Sequence, residues 1–177
     1  MESSSLYLVG VAVPTLRQLR STILSSADSA DAVNALREAG YSGGDSIFAA
    51  FERWLVETNV ADTADAGALP LEQFGEKAAT FFRDAGWGNV KFSHDEDDGV
   101  AVVDITNCWE ADGDEPKDEP SCHLTTGMLA SFFGRIAGYP VAVLETECCH
   151  GDSSRCRFLM GNADTMNYKW AELQQDA

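Results

Sequence analysis

Basic residues are scarce in this sequence. Lysine and arginine number 12 against 29 aspartates and glutamates, a formal net charge of −17. A field of that sign repels phosphate backbones and anionic lipid surfaces, which argues against a nucleic-acid partner and a peripheral membrane role. Long apolar runs are missing as well. Leu6 to Val13 is apolar but falls well short of the roughly 18–20 residues that span a bilayer, so no membrane span is expected. Glu2 and three serines precede it, without the basic segment of a signal peptide, and Pro14 and Arg17 follow. A cytoplasmic protein is the expectation. No glycine-rich phosphate loop, nicotinamide or flavin motif, internal repeat or catalytic constellation stands out, so no catalytic residue is assigned. Cysteine is neither rare nor even: there are five. An odd, clustered set argues against a disulfide framework and for thiol or metal chemistry.

What is present is a globular composition, 45% hydrophobic and 23% charged over 177 residues. That suits one domain over 1–177 with a full core and no covalent staples. Residues 1–30 read as an N-terminal arm or helical region and 162–177 as a tail that forms a short helix or frays. Pro14 suits a first helical turn, and Leu16, Leu19, Ile23 and Leu24 carry that helix to about Ser26. A second helix runs from Ser29 to Ala39, where Gly40 is read as its stop and Tyr41 to Gly44 as a tight connection. From Asp45 a third helix presents Ile47, Phe48, Phe51, Trp54 and Leu55 on one face, and 58–69 follow as a loop. Pro70 opens a helix with Leu71, Phe74, Ala78, Phe81 and Phe82 at helical spacing.

The period then changes. Asn89 to His94 and Val100 to Cys108 read as strands joined by an acidic turn. Residues 110–120 read as a solvated acidic loop whose spacing does not match a calcium motif. Pro120 to Ala137 reads as a helix ended by Gly138. Val141 to Glu147 and Arg155 to Met160 read as the last two strands. The order predicts an α+β fold, an antiparallel sheet of about four strands with helices packed on one face.

Four cysteines lie between Cys122 and Cys156. Cys122 begins a predicted helix, where partial positive charge favours a thiolate. Strand alternation puts Glu145 and Glu147 on one face. Cys148 ends that strand and Cys156 begins its hairpin partner. Zinc takes thiolates and accepts a carboxylate, and four protein ligands make a closed, structural site. Glu147, His150 and Cys149 remain rival ligands, although Cys149 should point away from Cys148 in an extended chain. Cys108 reads as strand packing.

The run Cys122-x-Leu-Thr-Thr-Gly, Gly134, Gly138, Val143-Leu-Glu-Thr-Glu-Cys148, Gly151 and Cys156-x-Phe158 resembles the 4-vinyl-reductase-like domain, of one superfamily with TRAPP vesicle-tethering subunits and haem-NO-binding domains. The resemblance covers about 40 residues well and implies the same fold class. In the family's phenol- and xylene-sensing activators this domain is the aromatic sensor and holds a structural zinc through Cys, Glu, Cys and Cys. The matching positions are Cys122, Glu145, Cys148 and Cys156, so the resemblance implies zinc and selects Glu145 over Glu147 and His150. Those sensors hold the phenol hydroxyl with a histidine and a tryptophan. The helix from Leu71 to Phe82 has no histidine, so that clamp is absent, and Trp109 is the candidate tryptophan. Thr126, Phe132 and Val143 stand at pocket-lining positions.

The expected function is therefore a stand-alone, zinc-stabilised domain that binds a small apolar or aromatic molecule as a homodimeric sensor or carrier. Phe48, Phe51, Phe74, Phe132 and Phe133 are candidate lining, although an aromatic stripe at helical spacing equally reads as core. The alternatives are an accessory protein in tetrapyrrole or bacteriochlorophyll metabolism and a TRAPP-like scaffold dimer without ligand.

Overall fold

A computed structural model of the chain describes residues 9–26, 28–58, 65–95, 99–111, 120–149 and 154–175. Helices α1 (Val13–Ser26), α2 (Ser29–Glu57) and α3 (Leu71–Asp84) precede strands β1 (Asn89–Asp95) and β2 (Val100–Thr106). Helix α4 (His123–Ala137), strands β3 (Ala142–Glu147) and β4 (Cys156–Gly161) and helix α5 (Ala163–Gln175) follow. The strands form one antiparallel sheet in the order β1-β2-β4-β3. The expected α+β class and four-stranded sheet are borne out. Among the described residues no helix is long and apolar enough to cross a membrane.

The predicted break at Gly40 to Gly44 is not there: α2 is one helix of 29 residues. Glycine usually weakens a helix interior, but two of these glycines sit where α2 crosses α4. An ideal Cβ on Gly40 would lie 2.0 Å from the Leu124 carbonyl oxygen, and one on Gly44 2.3 Å from the Ser131 Cβ. From the other side, a Cβ on Gly127 would lie 1.9 Å from the Arg37 carbonyl oxygen. The glycines let two backbones touch, so close packing overrides local propensity.

Alternation sorts the strands between two cores. Val103, Ile105, Cys156, Phe158 and Met160 face the large core with α2, α3 and α4. Val100, Val102, Leu144 and Leu159 face a small cluster closed by Met166 of α5. Helices thus lie on both faces, not one: the tail folds back because β2 and β4 are apolar on both sides. The large core is aromatic. The Phe51 ring lies 5.3 to 6.2 Å from those of Trp54, Phe74, Phe81 and Phe132, separations at which edge-to-face and stacked pairs are favourable.

The β2–β4 register fixes the geography of the site. Ile105 pairs with Cys156 at one end, and Ala101 with Met160 at the other. Four residues of strand separate those ends by about 13 Å.

A candidate metal centre and an apolar cavity

Three elements converge at the Cys156 end. Cys122 is the N-cap of α4, Cys148 follows β3 and Cys156 opens β4. Glu145 reaches them because β3 carries a bulge: Glu145 pairs with Phe158, but Glu147 pairs with the adjacent Arg157. The extra residue reverses the alternation. The predicted common face of Glu145 and Glu147 is therefore corrected. Glu145 turns inward, while Glu147 faces out to Arg155 and Arg157 at 3.2 and 3.6 Å. His150 lies outside the described residues.

The sulfurs of Cys122, Cys148 and Cys156 are 3.6, 3.7 and 3.7 Å apart. A tetrahedron's edge is about 1.63 times its centre-to-vertex distance, so ligands at the Zn–S length of about 2.3 Å stand about 3.8 Å apart. One Glu145 oxygen accepts the Cys122 N–H at 2.8 Å. The other is buried and has no hydrogen-bond partner. Buried carboxylate oxygens are rarely left so, and this one belongs to a group whose ligand atoms all lie within 4.8 Å of one another. The cluster can hold a metal ion. Burial, and then the Cys148 charge, push the Glu145 carboxyl up to about 9. The helix start does not leave Cys122 a thiolate on its own: hydrogen bonding with neighbouring sulfurs, then burial, push its thiol up.

The two remaining cysteines join the same cluster. Cys108 was expected to be strand packing alone, yet its sulfur is 3.8 Å from that of Cys122. Cys149 was expected to point away from Cys148. It sits in a turn, where strand alternation does not apply, and its sulfur is 3.5 Å from that of Cys156.

Sequence reading missed the clamp that seats Cys122. Glu110, assigned to a solvated loop, is fully buried. Its oxygens accept the N–H groups of Leu124 and Thr125 at 2.8 and 2.7 Å, satisfying donors of the first α4 turn. Arg20 of α1, also buried, lies 3.5 Å from Glu110 and donates to the Ser121 carbonyl at 2.7 Å. Arg17 donates to the carbonyls of Trp109 and Ala111 at 2.8 and 3.3 Å. Burial pushes the Glu110 carboxyl up to about 7 against the pull of the two N–H groups. In the sequence, Glu110 is one acid at the edge of an acidic run, and nothing local separates it from its neighbours.

A cavity of about 850 Å³ lies between α3, the β1 side of the sheet and the end of α4. Leu69, Phe74, Phe92, Phe133, Ile136 and Met160 supply apolar wall, with Glu72, Glu76, Lys91 and His94 among its polar lining. Of the candidate lining residues, Phe74 and Phe133 face this cavity. Phe48, Phe51 and Phe132 instead meet one another in the core, with ring centres 5.4 Å (Phe48–Phe132) and 5.7 Å (Phe51–Phe132) apart. Trp109 packs edge-on against Trp87 at 5.8 Å. The Thr126 hydroxyl donates to the Cys122 carbonyl at 2.8 Å, next to the candidate metal centre. Val143 is half-buried against the large core.

Comparison with known proteins agrees with this architecture. Residues 101–162 match the family model of the 4-vinyl-reductase-like domain, as the resemblance read from the sequence implies. No curated protein matches the chain. Among solved structures, the chain is similar to the phenol-responsive sensory domain of the transcription activator PoxR, determined with phenol. The TM-score is 0.62 at 15% identity, over 91% of this chain and 81% of that one. It is also similar to trafficking protein particle complex subunit 3 from Naegleria fowleri, covalently bound to palmitic acid. There the TM-score is 0.59 at 12% identity, over 84% of this chain and 93% of that one. At such identities the likeness speaks to the fold.

Proposed function

We propose that this chain is a zinc-stabilised domain of the 4-vinyl-reductase-like type that binds a small apolar or aromatic molecule. The observation that carries the reading is the apolar cavity of about 850 Å³, within the volume range of small-molecule sites. The similar PoxR domain was determined with phenol, which supports a ligand of that general kind. The cavity here is walled by aromatic and aliphatic side chains, so shape and apolar contact select the occupant more than a polar clamp does. Cys122, Glu145, Cys148 and Cys156 are the proposed zinc ligands. They fill four positions with protein atoms, leaving none for a substrate, so the role of the ion is structural. None of the four is among the residues that line the cavity, which supports the same division.

Native mass spectrometry and metal analysis of untreated protein test both halves. One zinc per chain is expected, and less than about 0.2 per chain sinks the metal reading. Titration with Nile red, an uncharged probe, tests the cavity: saturable fluorescence displaced by naphthalene is expected, and no saturable binding removes the ligand reading. The same native spectrum reports assembly. Leu19 and Ile23, exposed one turn apart on α1, offer an apolar strip for the proposed homodimer.

A further inference from the structure

The metal reading uses three of five converging sulfurs and leaves two over. Cys108 and its neighbour Cys122 are both buried, closed to solutes. Cys149 differs: it is half-exposed, it sits in the turn after β3, and its sulfur is 3.5 Å from that of Cys156. Its backbone N–H also points at the Cys156 sulfur, at 3.4 Å. A disulfide requires the sulfurs to close to about 2.05 Å, a movement of about 1.5 Å. That movement falls on a half-exposed turn outside the sheet.

We propose that Cys149 and Cys156 form an oxidation site that expels the metal when it meets a hydroperoxide. The inference rests on the zinc reading above. Cys148 is half-exposed too but is held by the ion, so Cys149 is the accessible sulfur outside the ligand set that hydrogen peroxide meets. The sulfur attacks the O–O bond, giving a sulfenic acid and water. The metal-held Cys156 thiolate then attacks the Cys149 sulfur, forming the S–S bond and releasing hydroxide. The two sulfurs lose two electrons, and the peroxide is reduced to one water and one hydroxide. A disulfide sulfur is no longer a thiolate ligand, so the ion is left with Cys122, Glu145 and Cys148 and departs. Reduction by a thiol restores both sulfurs and the site, because a disulfide stands on the reversible part of the oxidation ladder.

Zinc-loaded protein is treated with hydrogen peroxide. Released zinc is followed with the chromogenic chelator 4-(2-pyridylazo)resorcinol, and the disulfide is located by non-reducing peptide mapping. Zinc should leave in step with a Cys149–Cys156 disulfide. Cys149→Ser, which replaces none of the four proposed ligands, should bind zinc normally and lose it at least ~5-fold more slowly. Cys149→Ala should behave the same way. Release from both variants at the wild-type rate overturns the proposal, as does a map that joins other sulfurs. If the protein takes up no zinc, the metal reading fails on its own. Peptide mapping of the zinc-free protein then still decides whether Cys149 and Cys156 pair, and their failure to pair overturns the oxidation site.

Discussion

Adding one methyl group to α2 should have opposite effects three residues apart. At Gly40, an added Cβ meets the Leu124 carbonyl oxygen at 2.0 Å and the Met128 nitrogen at 3.0 Å. Carbon and oxygen in close contact stand about 3.3 Å apart, so α2 and α4 must separate by about 1.3 Å. The obstacle is backbone on both sides and cannot swing away. Overpacking usually costs about 1–3 kcal/mol, and a backbone collision belongs at or above the top of that range. At 2–4 °C per kcal/mol, roughly, for a chain of this size, Gly40→Ala should lower Tm by about 6–12 °C. At Gly43 an added Cβ meets nothing within 4 Å. Gly43→Ala should therefore gain the helix propensity of alanine, about 0.8–1 kcal/mol, and raise Tm by about 2–4 °C. Leu124 is two residues from Cys122, so Gly40→Ala should also weaken zinc binding while Gly43→Ala leaves it alone. Thermal melts and metal analysis of the two variants read both effects. If Gly40→Ala melts within 2 °C or so of the wild type, the close crossing of α2 and α4 is not what holds this helix pair together.

Cys148→Ser should lower zinc content and stability together, because the folded state alone assembles the ligands. At zinc 100 to 1,000 times Kd the ion contributes about 3–4 kcal/mol, so a variant that loses metal but melts like the wild type would refute that coupling. Glu110 titrates near 7 in the fold against an ordinary value of 4.5. A raised carboxyl stabilises below its unfolded pKa and loses that contribution as pH rises through the folded value. Denaturant titrations from pH 4.5 to 8 should show wild type losing on the order of 3 kcal/mol relative to Glu110→Gln, and a pH-independent difference would sink the assignment. Gly75 lines the cavity, where an added Cβ touches only the Phe92 side chain, at 3.6 Å. Gly75→Leu should weaken Nile red binding at least ~10-fold with no loss of stability, as leucine is the better helix former. Unchanged affinity would place the probe elsewhere.

The elements that were readable in the sequence are those whose signal is local. The apolar faces of α3 and α4, the alternation of β2 and the spacing of Cys148 and Cys156 each state their own structure. What could not be read depends on contacts distant in the chain. Gly40 looks like a helix stop until α4 is laid across it, 84 residues later. Glu147 and Glu145 look equivalent until the bulge between them in β3 separates them. Glu110 looks solvated until Arg20 and the start of α4 close over it. The aromatic stripe of α2 is compatible with lining or core, and only the arrival of Phe132 and Phe81 decides that Phe51 is core.

Helix α4 ties the two ends of the domain into one mechanical unit. Its first turn is fixed by Cys122 at the candidate metal centre and by the Glu110 carboxylate. Its last turns carry Phe133 and Ile136 into the cavity wall. Eleven residues from Cys122 to Phe133 span about 16 Å of a stiff rod. The close contacts at Gly40, Gly44 and Gly127 hold that rod against α2 along its length. A rod so held cannot shift at one end alone. The position of the cavity wall therefore depends on the cluster of Cys122, Glu145, Cys148 and Cys156, even though none of the four lines the cavity. The proposed oxidation of Cys156 would act on the same rod. With the ion gone, Cys122 is tied to β3 by its hydrogen bond to Glu145, and the α4 anchor rests on the Arg20–Glu110 clamp.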